Sequence, residues 1–172
     1  MTAPAPESVM ANVAELERVC QQMYTAPGAA KPVELNSLAC QTLLTYSSNV
    51  YAVHYALNSL EKIAAAPSMT VEQKATIKQL IGSFITSRGA SFDLFVMRTA
   101  VHNFAVLVKA TWLADASNAP LVKSYITIAK TVPGSLELVF FVLKTVVETM
   151  SSTQGVTGRK VITESVMANV AE

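Results

Sequence analysis

The stretch from Ser135 to Met150, "SLELVFFVLKTVVETM", decides the fold class of this chain of 172 residues. Its apolar residues fall at positions 136, 139, 140, 143, 146, 147 and 150, which is the i, i+3, i+4, i+7 series of one helix face. Phe141 and Val142 add a second apolar face. The stretch therefore predicts a helix that other parts of the protein cover on both sides.

Short clusters of Gly, Pro, Ser and Asn divide the rest of the chain into segments of helical length. These clusters are "TAPGAAKP", "AAAPSMT", "SRGAS", "DASNAP" and "TVPGS". No segment alternates apolar and polar residues with the period of a strand. The sequence therefore predicts an all-α fold with about seven helices, at 7–24, 33–47, 50–65, 71–87, 91–114, 120–131 and 135–152.

Two predicted helices begin with recognisable N-terminal signals. Thr70 and Gln73 have the spacing of a capping box, in which each side chain bonds the backbone N–H of the other residue. Ser135 follows Pro133 and Gly134 and is an N-cap candidate for the last helix.

Seven helices joined by short turns leave two architectures, a closed bundle or a stack of antiparallel helix pairs. The predicted helices 50–65, 91–114 and 135–152 are apolar nearly all round, and their starts are a little over 40 residues apart, the period of HEAT repeats. We therefore predict a right-handed stack of antiparallel helix pairs, a HEAT-like α-solenoid fragment. Its most buried helices are predicted to be 50–65 and 91–114, in a continuous core that includes Leu57, Leu60, Phe104, Val108 and Phe140.

Composition limits the functional classes. Of the residues 51% are hydrophobic, 15% are charged, and the net charge is +1, far from the strongly basic balance of a nucleic-acid-binding protein. The longest apolar stretches are interrupted by Glu137 or Lys109 well before the roughly 20 residues that cross a bilayer. The start "MTAPAPES" lacks the features of a secretory signal. We therefore expect an intracellular protein that binds neither membranes nor nucleic acids directly.

The residues that commonly carry chemistry are few. Cys20 and Cys40 lie in predicted helices without a CxxC motif, which favours two small buried residues over a disulfide or a metal site. His54 and His102 lie within helices at spacings that suit neither a metal nor a catalytic acid, which favours packing roles. No phosphate-binding or nucleophile-elbow motif occurs. We predict a non-enzymatic protein with no catalytic residue, no metal and no cofactor.

Two segments resemble a known family. The segment "LLTYSSNVYAVHYALNSLEKIAAA" is followed by "QKATIKQLIGSFITSRGASFDLFVMRTAVHNFAVLVKATWLAD". Together they resemble the N-terminal HEAT region of exportins, which are nuclear transport receptors of the karyopherin-beta family, and most of all the exportin four and exportin seven subgroup. The resemblance spans about residues 35 to 150, and its motif positions are 56–63, 74–88 and the "KATWLAD" of residues 109–115.

The resemblance implies a scaffold that binds the small GTPase Ran in its GTP state, contributes to cargo binding, and shuttles between nucleus and cytoplasm. Lys74, Lys78 and Arg88 are the candidate GTPase contacts, because the apolar stripe of their helix is expected to face its neighbours and to leave these bases in solvent. An ordinary solvated basic face is the alternative interpretation. Two other functions stay open: a stand-alone helical-repeat interaction module, and a helical-bundle enzyme or small-ligand carrier.

The chain also contains an identical repeat, since "ESVMANVAE" stands at residues 7–15 and again at 164–172. The predicted organisation is a disordered tail at 1–6, a helical-repeat domain at 7–152, a linker at 153–163 and the duplicated segment at 164–172. The second copy either competes for the groove of the first helix, in its own chain or in a domain-swapped or stacked homo-oligomer, or has no role in function.

Overall fold

The computed structural model describes residues 7–25 and 34–151, which form seven α-helices and no strand. The predicted all-α class is confirmed, and the predicted helices match the observed ones in number and order. Short 3-10 helices at Gly89–Ser91 and Ala116–Asn118 occupy the turns before the fifth and the sixth helix. The α-helices are α1 (Glu7–Thr25), α2 (Ser37–Tyr46), α3 (Val50–Ala65), α4 (Val71–Arg88), α5 (Leu94–Thr111), α6 (Leu121–Thr131) and α7 (Leu136–Ser151).

Local side-chain bonds explain where several helices begin. The capping box before α4 is confirmed: the Gln73 side chain accepts from the Thr70 N–H at 2.9 Å, and Thr70 Oγ1 accepts from the Gln73 N–H at 3.3 Å. Asn36 and Asn49 cap α2 and α3 by accepting from backbone N–H groups of the first turn. Ser135 precedes α7 as predicted, but its hydroxyl is directed at two carbonyl oxygens at the end of α6.

The chain divides into two compact units. Unit 1 comprises the described residues within Met1–Met69 and Gln79–Ala100, and unit 2 those within Thr70–Lys78 and Val101–Glu172. In unit 1, α1, α2 and α3 pack on one another, and in unit 2, α6 packs on α7. The fully buried large side chains of unit 1 are Leu43, Leu44, Val53, Leu57, Leu60, Ile81, Ile85 and Val96, and those of unit 2 include Val101, Val108 and Val142.

Four of the five predicted core residues are buried, and one prediction is wrong. Leu57, Leu60, Phe104 and Val108 are buried, but 69% of Phe140 is exposed. The reason is that α7 buries a single stripe, Val139, Val142, Val146 and Met150, and leaves its other apolar face in solvent. The expectation that α7 is covered on both sides is therefore wrong as well, since Leu136 and Val147 are exposed beside Phe140.

Other predictions are confirmed, stay predictions, or concern residues outside the described ranges. Cys20 and Cys40 are free and fully buried, as predicted. The stacking of helix pairs stays a prediction. The predicted tail at 1–6, linker at 153–163 and duplicated segment at 164–172 lie outside the described residues. Over residues 7–25 and 34–151, no helix combines the length and the apolar character needed to cross a membrane.

Candidate functional site

The three bases predicted to contact a GTPase do not form a solvent-facing row. Lys78 is only 3% exposed, so the prediction that it faces solvent is wrong. Its ammonium group donates to Asp115 Oδ2 at 2.7 Å, to Ser117 Oγ at 2.9 Å and to Asn118 Oδ1 at 2.5 Å. An ammonium group has three N–H donors, and each of them meets an oxygen. Lys78 therefore has a structural role within unit 2.

Asp115, the last residue of the "KATWLAD" motif, makes hydrogen bonds that explain its place in the sequence. Its Oδ1 accepts from the Ser117 backbone N–H at 2.9 Å and so caps the 3-10 helix Ala116–Asn118, while its Oδ2 accepts from Lys78. The hydrogen bond from Lys78 is the largest influence that holds the pKa of Asp115 at about 2. The motif residue thus stabilises a turn.

Arg88 is half-buried and bonded within its own unit, so it does not simply face solvent as predicted. Its guanidinium donates to the carbonyl oxygens of Leu44 and Ser47 at 2.6 and 2.7 Å, and it stacks over the Phe92 ring at 5.5 Å. These carbonyl groups lie at the C-terminal end of α2, where helices leave backbone acceptors without partners. Of the predicted row, half-buried Lys74 is left, and its contact with a GTPase stays a prediction.

The most distinctive surface of unit 1 is a cluster of aromatic rings, called the aromatic cluster below: Tyr24, Tyr51, His54, Tyr55 and Phe95. Tyr24 lies 5.2 Å from Tyr51 and 6.4 Å from Tyr55 between ring centroids, and His54 lies 5.2 Å from Phe95. Tyr24, Tyr51 and Phe95 are 37%, 46% and 44% exposed. Helices α1, α3 and α5 therefore together present a contiguous set of rings to solvent.

The sequence of α3 explains why its rings share one side of the helix. Tyr51, His54, Tyr55 and Asn58 follow one another at i, i+3, i+4 and i+7. The other side of α3 carries small and aliphatic residues, among them Ala52, Ala56 and Leu60, which are fully buried. Since α1 packs closely on α3, the last turn of α1 brings Tyr24 onto the same surface.

Hydrogen bonds fix the orientation of the central rings. Tyr24 Oη lies 2.7 Å from His54 Nδ1, and Asn58 Nδ2 lies 3.4 Å from the same nitrogen. An amide NH₂ group only donates, so this arrangement favours the tautomer in which His54 Nδ1 accepts and Nε2 carries the ring proton. Burial raises the pKa of Tyr24 and lowers the pKa of His54. Both effects favour a neutral hydroxyl donor and a neutral imidazole acceptor.

The side chains that bond to the rings of the aromatic cluster or to its neighbours in the described residues are uncharged. Asn49 donates to Gln21 Oε1 at 3.4 Å at one side, and Leu94 is exposed next to Phe95. Hydroxyl, amide and imidazole groups thus supply the polar character. Rings that are half exposed, oriented by hydrogen bonds and surrounded by neutral polar groups are typical of protein-binding surfaces, where Tyr is enriched.

Sequence reasoning assigned His54 a packing role and did not single out the tyrosines. The spacing of the aromatic residues along α3 was a usable signal. Several aromatic residues on one exposed helix face form an apolar patch, and such patches commonly mark interaction sites. Tyr24 and Phe95 join the cluster through packing of α1 and α5, and no local pattern indicates that. His102 is exposed on α5, outside the cluster.

No group of three or more His, Cys, Asp or Glu side chains that could hold a metal ion is present in the part of the chain that the structure describes. The predictions about enzymatic activity and cofactors therefore stay predictions. Comparison with known proteins gives no further guidance, since no family model, no curated protein and no solved structure matches the chain.

Proposed function

We propose that the chain is a non-catalytic helical scaffold whose unit 1 binds a protein partner through the aromatic cluster. The observation that carries this proposal is the exposure of Tyr24, Tyr51 and Phe95 on one surface, together with the hydrogen bond that orients Tyr24. Tyrosine contributes a large contact area and loses little side-chain entropy on binding, because it has two side-chain torsions. Such residues commonly dominate the affinity of an interface.

The partner surface is expected to be mainly uncharged. The ring contacts of the cluster involve neutral groups, and its polar neighbours Gln21, Asn49 and Asn58 are amides. A charged partner side chain placed against these rings would lose hydration without meeting an opposite charge. Binding should therefore change little between low and moderate salt, in contrast to a contact between basic and acidic residues.

The test begins with photo-crosslinking from the cluster in cells. A photoreactive amino acid at position 51 should capture a defined partner, whereas the same amino acid at Leu38, an exposed apolar residue of α2 in the same unit, should not. The captured protein is then purified, and its affinity is measured for Tyr51→Ser, Phe95→Ser and the matched control Leu38→Ser.

The expected result is a loss of affinity of about tenfold or more for Tyr51→Ser or Phe95→Ser, and little change for Leu38→Ser. Equal capture from positions 51 and 38, or an affinity that is unchanged in both cluster variants, would contradict the proposal. Circular dichroism of each variant excludes loss of helix as the cause.

A narrower form of the proposal is that the scaffold is the N-terminal part of an exportin-like transport receptor that binds Ran-GTP and cargo. Its support is the resemblance of residues 35 to 150 together with the observed order of seven helices. Binding of GTP-loaded and GDP-loaded Ran to the natural chain tests it. A preference for the GTP form that weakens in Lys74→Glu supports it, and equal or absent binding of both forms contradicts it.

A further inference from the structure

We propose that His54 makes the aromatic cluster sensitive to pH: the neutral ring accepts the Tyr24 hydroxyl, and protonation of Nδ1 forces this hydrogen bond to reverse, opposes the Asn58 amide and loosens Tyr24. The inference concerns regulation of the binding surface and therefore rests on the proposed function for its use in the cell. Partner binding would be strongest at neutral or higher pH and weaker in a mildly acidic compartment or after acidification of the cell.

The geometry around Nδ1 carries this inference. Tyr24 Oη lies 2.7 Å and Asn58 Nδ2 lies 3.4 Å from this nitrogen, and both groups can donate to it while it carries no hydrogen. In an imidazolium ion both ring nitrogens carry a hydrogen, so Nδ1 can no longer accept from either group. The Tyr24 hydroxyl would have to turn and accept instead, while the Asn58 amide would oppose the new hydrogen with hydrogens of its own.

The surroundings offer little compensation for a positive charge on His54. Three helices surround the contact between Tyr24 and His54. Helix α1 contributes Tyr24 and the nearby Cys20 thiol, α3 contributes Tyr55 and Asn58, and α5 contributes the apolar Phe95 ring. These groups are uncharged at neutral pH, and burial raises the pKa of Cys20 to about 11. Among the described residues that make these contacts there is no carboxylate, and Glu17, which precedes Cys20 on α1, already accepts from the Ser47 hydroxyl.

The direction of the pH effect follows from linkage. Burial places the pKa of His54 below its ordinary value of 6.5 in the folded protein. The unfolded chain therefore binds a proton first as pH falls. The stabilisation from the Tyr24 contact is fully present above pH 6.5, and it is lost as pH falls from 6.5 through the pKa of the folded state.

The experiment uses the full chain without a partner and measures hydrogen–deuterium exchange in the last turn of α1, residues 21–25, between about pH 7.5 and pH 5. Rates are corrected for the intrinsic pH dependence of exchange. Loss of one hydrogen bond, about 0.5–1.5 kcal/mol, corresponds to exchange that is about two- to tenfold faster at the acidic end. Nuclear magnetic resonance of the His54 ring follows its titration in the same samples.

Three variants make the result specific. His54→Asn places a side-chain oxygen near the position of Nδ1, so it can accept from Tyr24 but does not titrate. Tyr24→Phe keeps the ring and removes the hydroxyl. His102→Asn is the matched control, since His54 and His102 are the two histidines of the chain and His102 is exposed.

Acid-induced loosening in the native protein and in His102→Asn, with none in His54→Asn or Tyr24→Phe, supports the inference. Equal loosening in His54→Asn, or a His54 titration without any change in residues 21–25, overturns it. Because no partner takes part, failure of this test leaves the proposed binding function standing. Loss of partner crosslinking from position 51, in turn, leaves the pH response standing.

Discussion

Replacing Lys78 by Met should strongly destabilise unit 2. The Lys78 side chain is 4% exposed and that of Asp115 is 13% exposed, so the substitution leaves a nearly buried carboxylate without its cation. It also removes the donor to Ser117 and Asn118. Breaking a buried ion pair by removing one partner costs about 3–5 kcal/mol. We expect a loss of that size in the free energy of unfolding.

The assay is urea denaturation of the full chain followed by circular dichroism, with Lys123→Met at an exposed position of α6 as the matched control. That control should change stability by less than about 0.5 kcal/mol. Asp115→Asn keeps the shape of the side chain and removes its charge, so it should cost about 1.5–3 kcal/mol, the range for a hydrogen bond to a charged group. The double variant should lose less than the sum of the two single variants, because both remove one interaction.

Acid adds an independent measure of the same contact. Because the pKa of Asp115 is lowered from 3.8 to about 2 in the folded protein, its contribution to stability is present above pH 3.8 and is lost as pH falls toward 2. This part of the acid sensitivity should be smaller in Lys78→Met, in which Ser117 is left as a donor to Asp115. A loss below about 1 kcal/mol for Lys78→Met, or strictly additive single variants, would refute the assignment of Lys78 to a buried network.

Three further comparisons of variants test the packing. Leu60→Ala should cost about 2–5 kcal/mol because Leu60 is fully buried, whereas Leu38→Ala on the surface of α2 should cost less than about 0.5 kcal/mol; similar losses would contradict the burial pattern. Phe140→Ser should leave the melting temperature nearly unchanged while Val142→Ala lowers it, and the reverse order would place Phe140 in the core and Val142 at the surface. Arg88→Met should cost about 1.5–3 kcal/mol in urea denaturation, because two carbonyl oxygens at the end of α2 lose their donor; a neutral result would mean that water replaces the guanidinium.

The helices could be predicted because their signals are local. The i, i+3, i+4, i+7 series, the capping box of Thr70 and the Gly- and Pro-containing breaks all lie within a few residues of the helix ends that they specify. These local signals do not specify which face of a helix packs against which neighbouring helix. The apolar series of α7 contains Val139 and Phe140 alike, and only the packing of α7 within unit 2 decides that the first is buried and the second exposed.

The bonding partners of the charged residues could not be predicted either, because they lie far away in the sequence. Lys78 and Asp115 are 37 residues apart in sequence, and Arg88 is 44 residues from Leu44, whose carbonyl oxygen it binds. In the sequence alone, Lys78 and Arg88 each look like ordinary surface bases, and that interpretation favoured a GTPase contact. The aromatic cluster lies between these cases: its α3 residues show helical spacing, but Tyr24 is 30 residues from His54 in sequence.

The bonding of Lys78 and Arg88 within their own units favours recognition of a partner by shape over recognition by charge. A basic row along α4 would have attracted an acidic GTPase from a distance, and the affinity would have fallen steeply with salt. With the charge of Lys78 paired with Asp115 and the Arg88 guanidinium held against two carbonyl oxygens, that attraction is weaker than a free basic row would give. The surface that unit 1 offers instead is neutral, with rings oriented by the contact between Tyr24 and His54. The affinity of a partner bound there should depend mainly on slow dissociation from a well-packed contact. Its association rate should change little when the salt concentration is raised. Measuring both rate constants at two salt concentrations therefore separates the two modes of recognition even before the partner's own structure is known.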